Sequence, residues 1–180
     1  MKKLSMIFVA VLMMAGGSMK VMAQTSAAVT GTTAGAKLVV PMGLTQTGVL
    51  HFGTINILTG AGGTVTLPAS SLTREFSSGV SASLVAPVAT HASYNVTGTK
   101  NVTYALTLPA TITVTETLLS VATMSIAPTA RFNNAVADAI TSTLSATGTD
   151  NFTVGGVLTV GASAVGGIYA GTFNVSVDYN

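Results

Sequence analysis

The clearest pattern in the chain is the alternation that runs to its last residues. Tyr169, Phe173, Val175, Val177 and Tyr179 are large and apolar, with Gly171 in step among them, whereas Thr172, Asn174, Ser176 and Asp178 are polar. Strict alternation predicts a strand with one face in a core and the other in water. Chain ends fray unless something holds them, so alternation this regular up to Tyr179 predicts a partner strand, in the same chain or in another.

The same period recurs upstream. The pattern predicts strands over Lys37–Val40, Gly48–Leu58, Gly63–Leu67, Val80–Val85, Ser93–Thr97, Val102–Leu108, Thr111–Thr115, Ala139–Ala146, Val157–Val160 and Tyr169–Tyr179. Turn signals separate them, among them Gly60–Gly63, Thr97-Gly98-Thr99, Pro109, Thr147–Asp150, Gly155-Gly156 and Gly166-Gly167. Leu118–Ser125 and Asn133–Ala139 are compatible with a helical turn, but no long amphipathic helix is expected. Many short strands with closely spaced turns predict an all-β, Ig-like antiparallel β-sandwich, open to completion by a strand donated from outside.

Residues 1–23 stand apart. Lys2 and Lys3 precede a short apolar run, Met6–Ala15, and Val21-Met-Ala23 supplies small residues ahead of Gln24. That order predicts a secretory signal peptide and therefore export to the periplasm, then to the cell surface or the medium. Residues 24–36 are small and polar and are expected to form a flexible N-terminal arm, with the sandwich over 37–180. Without the leader the charge is nearly balanced. Lys37, Arg74, Lys100 and Arg131 face Glu75, Glu116, Asp138, Asp150 and Asp178, so no basic patch remains for a nucleic acid. No transmembrane segment is expected after the leader. Cysteine is absent, so the domain must be held by packing and strand pairing rather than by disulfides.

Catalytic chemistry has little to build on. His51 and His91 are the only histidines, and His51, between inward-facing Leu50 and Phe52, is expected to point to solvent. Neither has the acid and activated serine that a triad needs. Arg74-Glu75 reads as a solvated turn. The other carboxylates are scattered, no Cys or clustered His offers a metal site, and Gly60–Gly63 lacks the Lys-Ser/Thr of a phosphate loop. The chain is therefore not expected to be an enzyme, and no catalytic, cofactor or metal residue is assigned. Tryptophan is absent, and most aromatics fall on apolar strand faces. Phe76 and Phe132, in less regular segments, are the two best placed to stack a sugar.

The C-terminal segment resembles the end of a chaperone–usher pilus subunit, which closes on an alternating strand with a penultimate tyrosine and a glycine fourteen positions from the end. Tyr179 and Gly167 occupy those positions. Leu50-His-Phe-Gly-Thr-Ile55, Gly63-Thr-Val-Thr-Leu67 and Tyr104-Ala-Leu-Thr-Leu-Pro109 are similar to exported bacterial domains related to the spore-coat-U-like pilins. The resemblance spans most of 37–180. Two features depart from it: the cysteine pair of many pilins is missing, and the arm is weakly apolar.

The resemblance implies a structural subunit of a surface fibre, a fimbrium with a place in cell adhesion, assembling with other copies or related subunits by β-strand addition. A periplasmic chaperone and an outer-membrane usher are the partners it implies. Gly167, Tyr169, Phe173, Val175, Val177 and Tyr179 would form the assembly strand. A second alternating set, Ala36, Leu38, Val40, Met42 and Leu44, is a candidate donor strand, and the same alternation fits a strand that completes its own sheet. The alternative is a stand-alone secreted binding module for glycan or protein.

Overall fold

The computed structural model describes residues 31–58, 60–118, 122–133 and 135–180. The expected leader and residues 24–30 of the arm lie outside the described residues. The chain divides into two units, Met1–Lys37 and Leu38–Asn180. In the first, residues 31–37 are exposed and carry no regular structure.

The second unit is all β. Its strands are β1 (Gly43–Gly48), β2 (His51–Phe52), β3 (Ile55–Ile57), β4 (Gly63–Leu67), β5 (Glu75–Phe76), β6 (Val80–Ala82), β7 (Ala89–Thr90) and β8 (Ala92–Thr97). They continue with β9 (Thr103–Thr107), β10 (Ile112–Glu116), β11 (Thr123–Phe132), β12 (Thr141–Thr143), β13 (Thr149–Val160), β14 (Tyr169–Ala170) and β15 (Ser176–Tyr179). Among the described residues there is no helix; the expected helical turns over Leu118–Ser125 and Asn133–Ala139 lie partly outside the described residues.

An eight-stranded antiparallel sheet, ordered β1-β8-β13-β11-β10-β14 with β4 and β5 branching from β13, makes one layer. The opposing layer is in pieces: a three-stranded sheet β12-β9-β15 and the two ladders β2-β7 and β3-β6. Both layers are antiparallel, as in a β-sandwich. Period-2 alternation sends Ala92, Tyr94 and Val96 of β8, Ala130 and Phe132 of β11, and Phe152 and Val154 of β13 inward to meet Tyr104 and Leu106 of β9 and Leu144. Farther along the large sheet, Val65, Leu67, Ile112, Ile126, Leu158 and Val160 meet Phe52 and Val80. Phe152 stacks on Tyr94 at 5.0 Å, and Phe132 meets Tyr104 edge-on at 5.7 Å. These aromatic contacts and the apolar burial supply the cohesion that disulfides would otherwise lend.

Tyr104 is fully buried yet satisfied: its hydroxyl donates to Asp150 Oδ2 at 2.9 Å, which also accepts from Ser142 Oγ at 2.7 Å. Desolvation, followed by the hydrogen bond to Asp150 and the charge of that carboxylate, holds the phenol well above its ordinary pKa. Burial raises Tyr94 as well.

Several expectations need correction. Lys37–Val40 is not a strand, and pairing begins at Gly43. Gly155 and Gly156 are not a turn but the middle of β13, where that strand exchanges one neighbour, β8, for another, β4. A Cβ at Gly155 would collide with the Leu67 carbonyl, and Gly156 sits at φ +153° with the Ala127 carbonyl 2.5 Å from where its Cβ would stand. Glycine is needed there for close backbone approach, not for chain reversal. The ten-residue β11 was not expected, in part because Pro128 interrupts it. That proline lies past the end of the β10 ladder, which stops at Ile112 opposite Ile126, so a ladder donor is dispensable on that flank.

Candidate functional site

Two segments change sheets, and the site lies between them. The first leaves the large sheet after β1, which pairs with β8, and enters the opposing layer as β2 and β3. The second pairs with β10 as β14, then crosses to join β9 as β15. Between Ala170 and Ser176 it makes no ladder pair with any described strand. The expected single strand Tyr169–Tyr179 is thus two short ones joined by an unpaired stretch.

A cleft of about 480 Å³ opens between these segments. Its floor is the inner face of the large sheet, Ile112, Val114, Met124, Ile126, Leu158 and Val160. One wall is Leu50–Ile55 with Ile57, and the other is Ala164–Gly171 with Phe173. His51 and Tyr169 are the only titratable side chains among the described lining residues.

The walls expose main-chain groups as well as apolar side chains. In the β3–β6 ladder, Ser83 N donates to Thr54 O and Leu58 N to Gly79 O. Antiparallel pairing alternates, so Ile55 and Ile57 direct their N–H and C=O groups to the opposite edge, where no described strand pairs with β3. The same reasoning applies to the C-terminal strand. Asn180 N donates to Thr103 O, so Val177 and Tyr179 turn their main-chain groups away from β9, and β15, which follows the cleft wall without lining it, is an edge among the described strands.

The proposed assembly residues divide along this path. Gly167, Tyr169 and Phe173 line the cleft. A side chain at Gly167 would meet the buried Glu116, with Cγ and Oε1 both at 2.8 Å from its Cβ, while Glu116 Oε2 accepts from Leu118 N at 3.0 Å. Phe173, Val175, Val177 and Tyr179 pack on the core cluster that contains Tyr104 and Leu106. They are half-buried rather than buried, because an edge strand is covered from one side only.

Tyr179 ends this run as a clasp. Its hydroxyl donates to Val40 O at 2.5 Å and accepts from Thr99 N at 2.6 Å, and Val40 N donates to Thr99 Oγ1 at 2.6 Å. The candidate donor residues are split at this point. Met42 and Leu44 pack into the domain's own core. Ala36, Leu38 and Val40 are exposed and lie in no strand.

His51 is exposed, and its Nδ1 accepts from Gly53 N at 2.8 Å. His91 Nε2 lies 2.8 Å from Pro68 O and 3.1 Å from Ser71 O, a donor to two carbonyls that fixes a loop. Phe132 is buried in the core, and Phe76 is half-buried beneath Arg74. Neither is the exposed platform that sugar stacking requires. Arg74 is not a solvated turn residue either: it is half-buried, with Nη1 bonded to two carbonyls.

Sequence reasoning missed the Leu50–Ile57 wall, although a signal was present. Leu50 and Phe52, at even positions, pack on the core, whereas Ile55 and Ile57, at odd ones, line the cleft, so the parity changes across Gly53-Thr54. The change marks the bend between β2 and β3, where Gly53 adopts φ +75°.

Residues 42–179 match the profile of a family described as a domain of unknown function, DUF4402. The chain belongs to this family. No curated protein matches it. The matched span begins at Met42, two residues past the Val40 clasp, and ends at Tyr179, so the family's domain contains both walls of the cleft and both sheet-changing segments. Among the described residues no helix is long and apolar enough to cross a membrane, and no three His, Asp or Glu side chains are grouped to hold a metal.

Proposed function

We propose that this chain is an exported structural subunit of a surface fibre and assembles by β-strand addition, its cleft receiving an extended segment from another copy or a related subunit. The observation that carries this reading is the pairing of an apolar floor with unpaired main-chain edges. A cleft of this volume would also suit a small ligand. A ligand pocket, however, is expected to converge a few polar groups on its occupant, and the lining here is largely apolar: its polar side chains are His51, Thr54 and Tyr169, and the Tyr169 hydroxyl is taken up by Val165 O. An incoming strand uses both features at once: its main chain pairs with the edges, and its alternate side chains fill the floor.

An exposed segment suited to donation precedes the domain: residues 31–36 of the arm are exposed and carry no regular structure, and they run directly into exposed Leu38 and Val39. Export through the 1–23 leader, and handling by a chaperone and an usher that shield the open cleft until assembly, belong to the same reading.

The test is the size of the purified chain, with and without residues 24–36, together with a cleft variant, Val114→Asp. The intact chain is expected to form polymers. The arm deletion should fold with an unchanged unfolding transition and remain monomeric, and Val114→Asp should fail to accept a neighbour. If the intact chain stays monomeric at all concentrations and no fibre on cells contains it, the fibre reading is wrong. A stand-alone binding module would then replace it.

A further inference from the structure

Among the described residues, Arg74 is the one cation drawn in against the wall of the cleft. Pairing of β5 with β4, Phe76 opposite Val65 and Glu75 opposite Thr66, places Arg74 just ahead of the ladder. From there its Nη1 donates to Phe52 O at 2.7 Å and to Thr54 O at 2.9 Å. The guanidinium carbon also lies 5.2 Å from the centre of the Phe76 ring, which seats the charge on an aromatic face.

The two carbonyls bracket Gly53, the bend of the wall. Gly53 has φ +75°, and a Cβ there would stand 2.8 Å from Arg74 Nη1 and 3.0 Å from Ala89 N. Thr54 has a particular need for a donor. Its N–H bonds to Pro87 O, but proline has no N–H to return, so Thr54 O takes Ser83 N at 3.2 Å and the guanidinium.

We infer that Arg74 is a positioning residue for the cleft: by gathering the Phe52 and Thr54 carbonyls it sets the bend at Gly53, and so the line along which Ile55 and Ile57 present their open edge. The role in assembly rests on the fibre reading; the clamp itself does not. Phe52 projects from one side of the bend into the core, and Ile55 lines the cleft on the other. Both bonds come from Nη1, whose two in-plane N–H groups serve the two carbonyls while the flat guanidinium rests on the Phe76 ring; a lysine ammonium lacks that planar face and would hold its donors there only in part.

The test uses the full chain with Arg74→Met, which keeps an apolar stem, and Arg74→Lys, which keeps the charge. The control is Arg131→Met, which breaks only the surface pair with Asp138. Hydrogen exchange at the Thr54 and Leu58 amides reads the clamp, and binding of a synthetic peptide spanning Gln24–Leu44 reads the cleft.

Loss of charge-assisted bonds to two carbonyls should speed exchange at both amides by roughly tenfold or more in Arg74→Met. Arg74→Lys should recover part of the protection, and amides in the β11–β13 ladder should be unchanged. Peptide binding should weaken in Arg74→Met and not in Arg131→Met. Unchanged exchange at Thr54 and Leu58, or a rise shared equally by β11–β13, would overturn the clamp. Local loosening with no peptide bound by either form would uphold the clamp and count against the fibre reading alone.

Discussion

At the scale of single residues, hydroxyl groups carry much of the specificity of this domain. Tyr179 holds both Val40 and Thr99 through one oxygen. Tyr179→Phe keeps the packing on the core cluster and removes those bonds, which should destabilise the fold by about 1–2 kcal/mol. Urea unfolding checks the magnitude, and faster exchange at the Thr99 amide checks the location.

Tyr104 and Tyr94 lead to a pH dependence. Both phenols are held above their ordinary pKa of 10.0 in the folded state, chiefly by burial. The fold therefore favours their protonated forms. The stability they contribute is complete below pH 10 and is lost as pH rises beyond it, because the unfolded chain then releases protons that the folded chain retains. The urea midpoint should hold steady from neutral pH to about 9, within the range where a free phenol stays protonated, and then fall. Tyr104→Phe should flatten that alkaline decline even if it lowers stability at neutral pH. A midpoint that falls equally steeply in the variant would show that other groups govern it.

At the scale of elements, legibility followed locality. The strand Gly63–Leu67 was predicted with its observed limits, and β8, β9 and β10 to within a residue at each end, because their alternation is uninterrupted and each lies with one face on the core. β13 was found only in its last four residues, since Gly155-Gly156 resembles a turn to any local rule. Its reason for being glycine is the approach of Leu67 and Ala127 from two other strands. β11 was lost to Pro128 for a comparable reason: whether a proline is tolerated depends on which flank has lost its neighbour, and that is a fact of the sheet.

The C-terminal alternation was read correctly as facing a core, but not as two strands in two sheets. That distinction yields a prediction. Val177 packs on the core cluster from an edge, so Val177→Asp should cost about 2–3 kcal/mol by desolvating a carboxylate while leaving the large sheet intact. Thermal unfolding should show the loss, and Ser176→Asp, on the exposed face of the same strand, should show little of it.

At the scale of the whole molecule, the cleft was the feature least accessible to the sequence. Its floor residues come from β10, β11 and β13, and its walls come from opposite ends of the domain. Each segment looks like ordinary strand; what defines the site is that no described strand pairs between them. Ile55 and Ile57 carry no mark in the sequence of having only one neighbour. Gly167, Tyr169 and Phe173 of the terminal alternation line one side of the cleft, and the wall opposite, with Arg74 behind it, follows only from the three-dimensional pairing.

The Tyr179 clasp has a consequence for how the domain can be rewired. Val40 O and the Tyr179 hydroxyl are 2.5 Å apart, so the segment just ahead of the family's domain meets the domain's last residue, and residues 40–179 close nearly into a ring. A ring can be opened elsewhere. Joining Asn180 to Val40 through a short flexible linker, and cutting between Leu84 and Val85, would place new termini in an exposed loop whose two ends, Ser83 and Pro87, are both bonded to Thr54. Such circular permutants are tolerated where termini lie close and the new cut falls in an exposed tip. The permutant should fold with the parent's near-ultraviolet circular dichroism and keep its cleft, yet no longer carry an arm on the Val40 side. On the fibre reading proposed above, receiving a strand and giving one would then be separate properties of two molecules, so that one terminates a chain that the other extends.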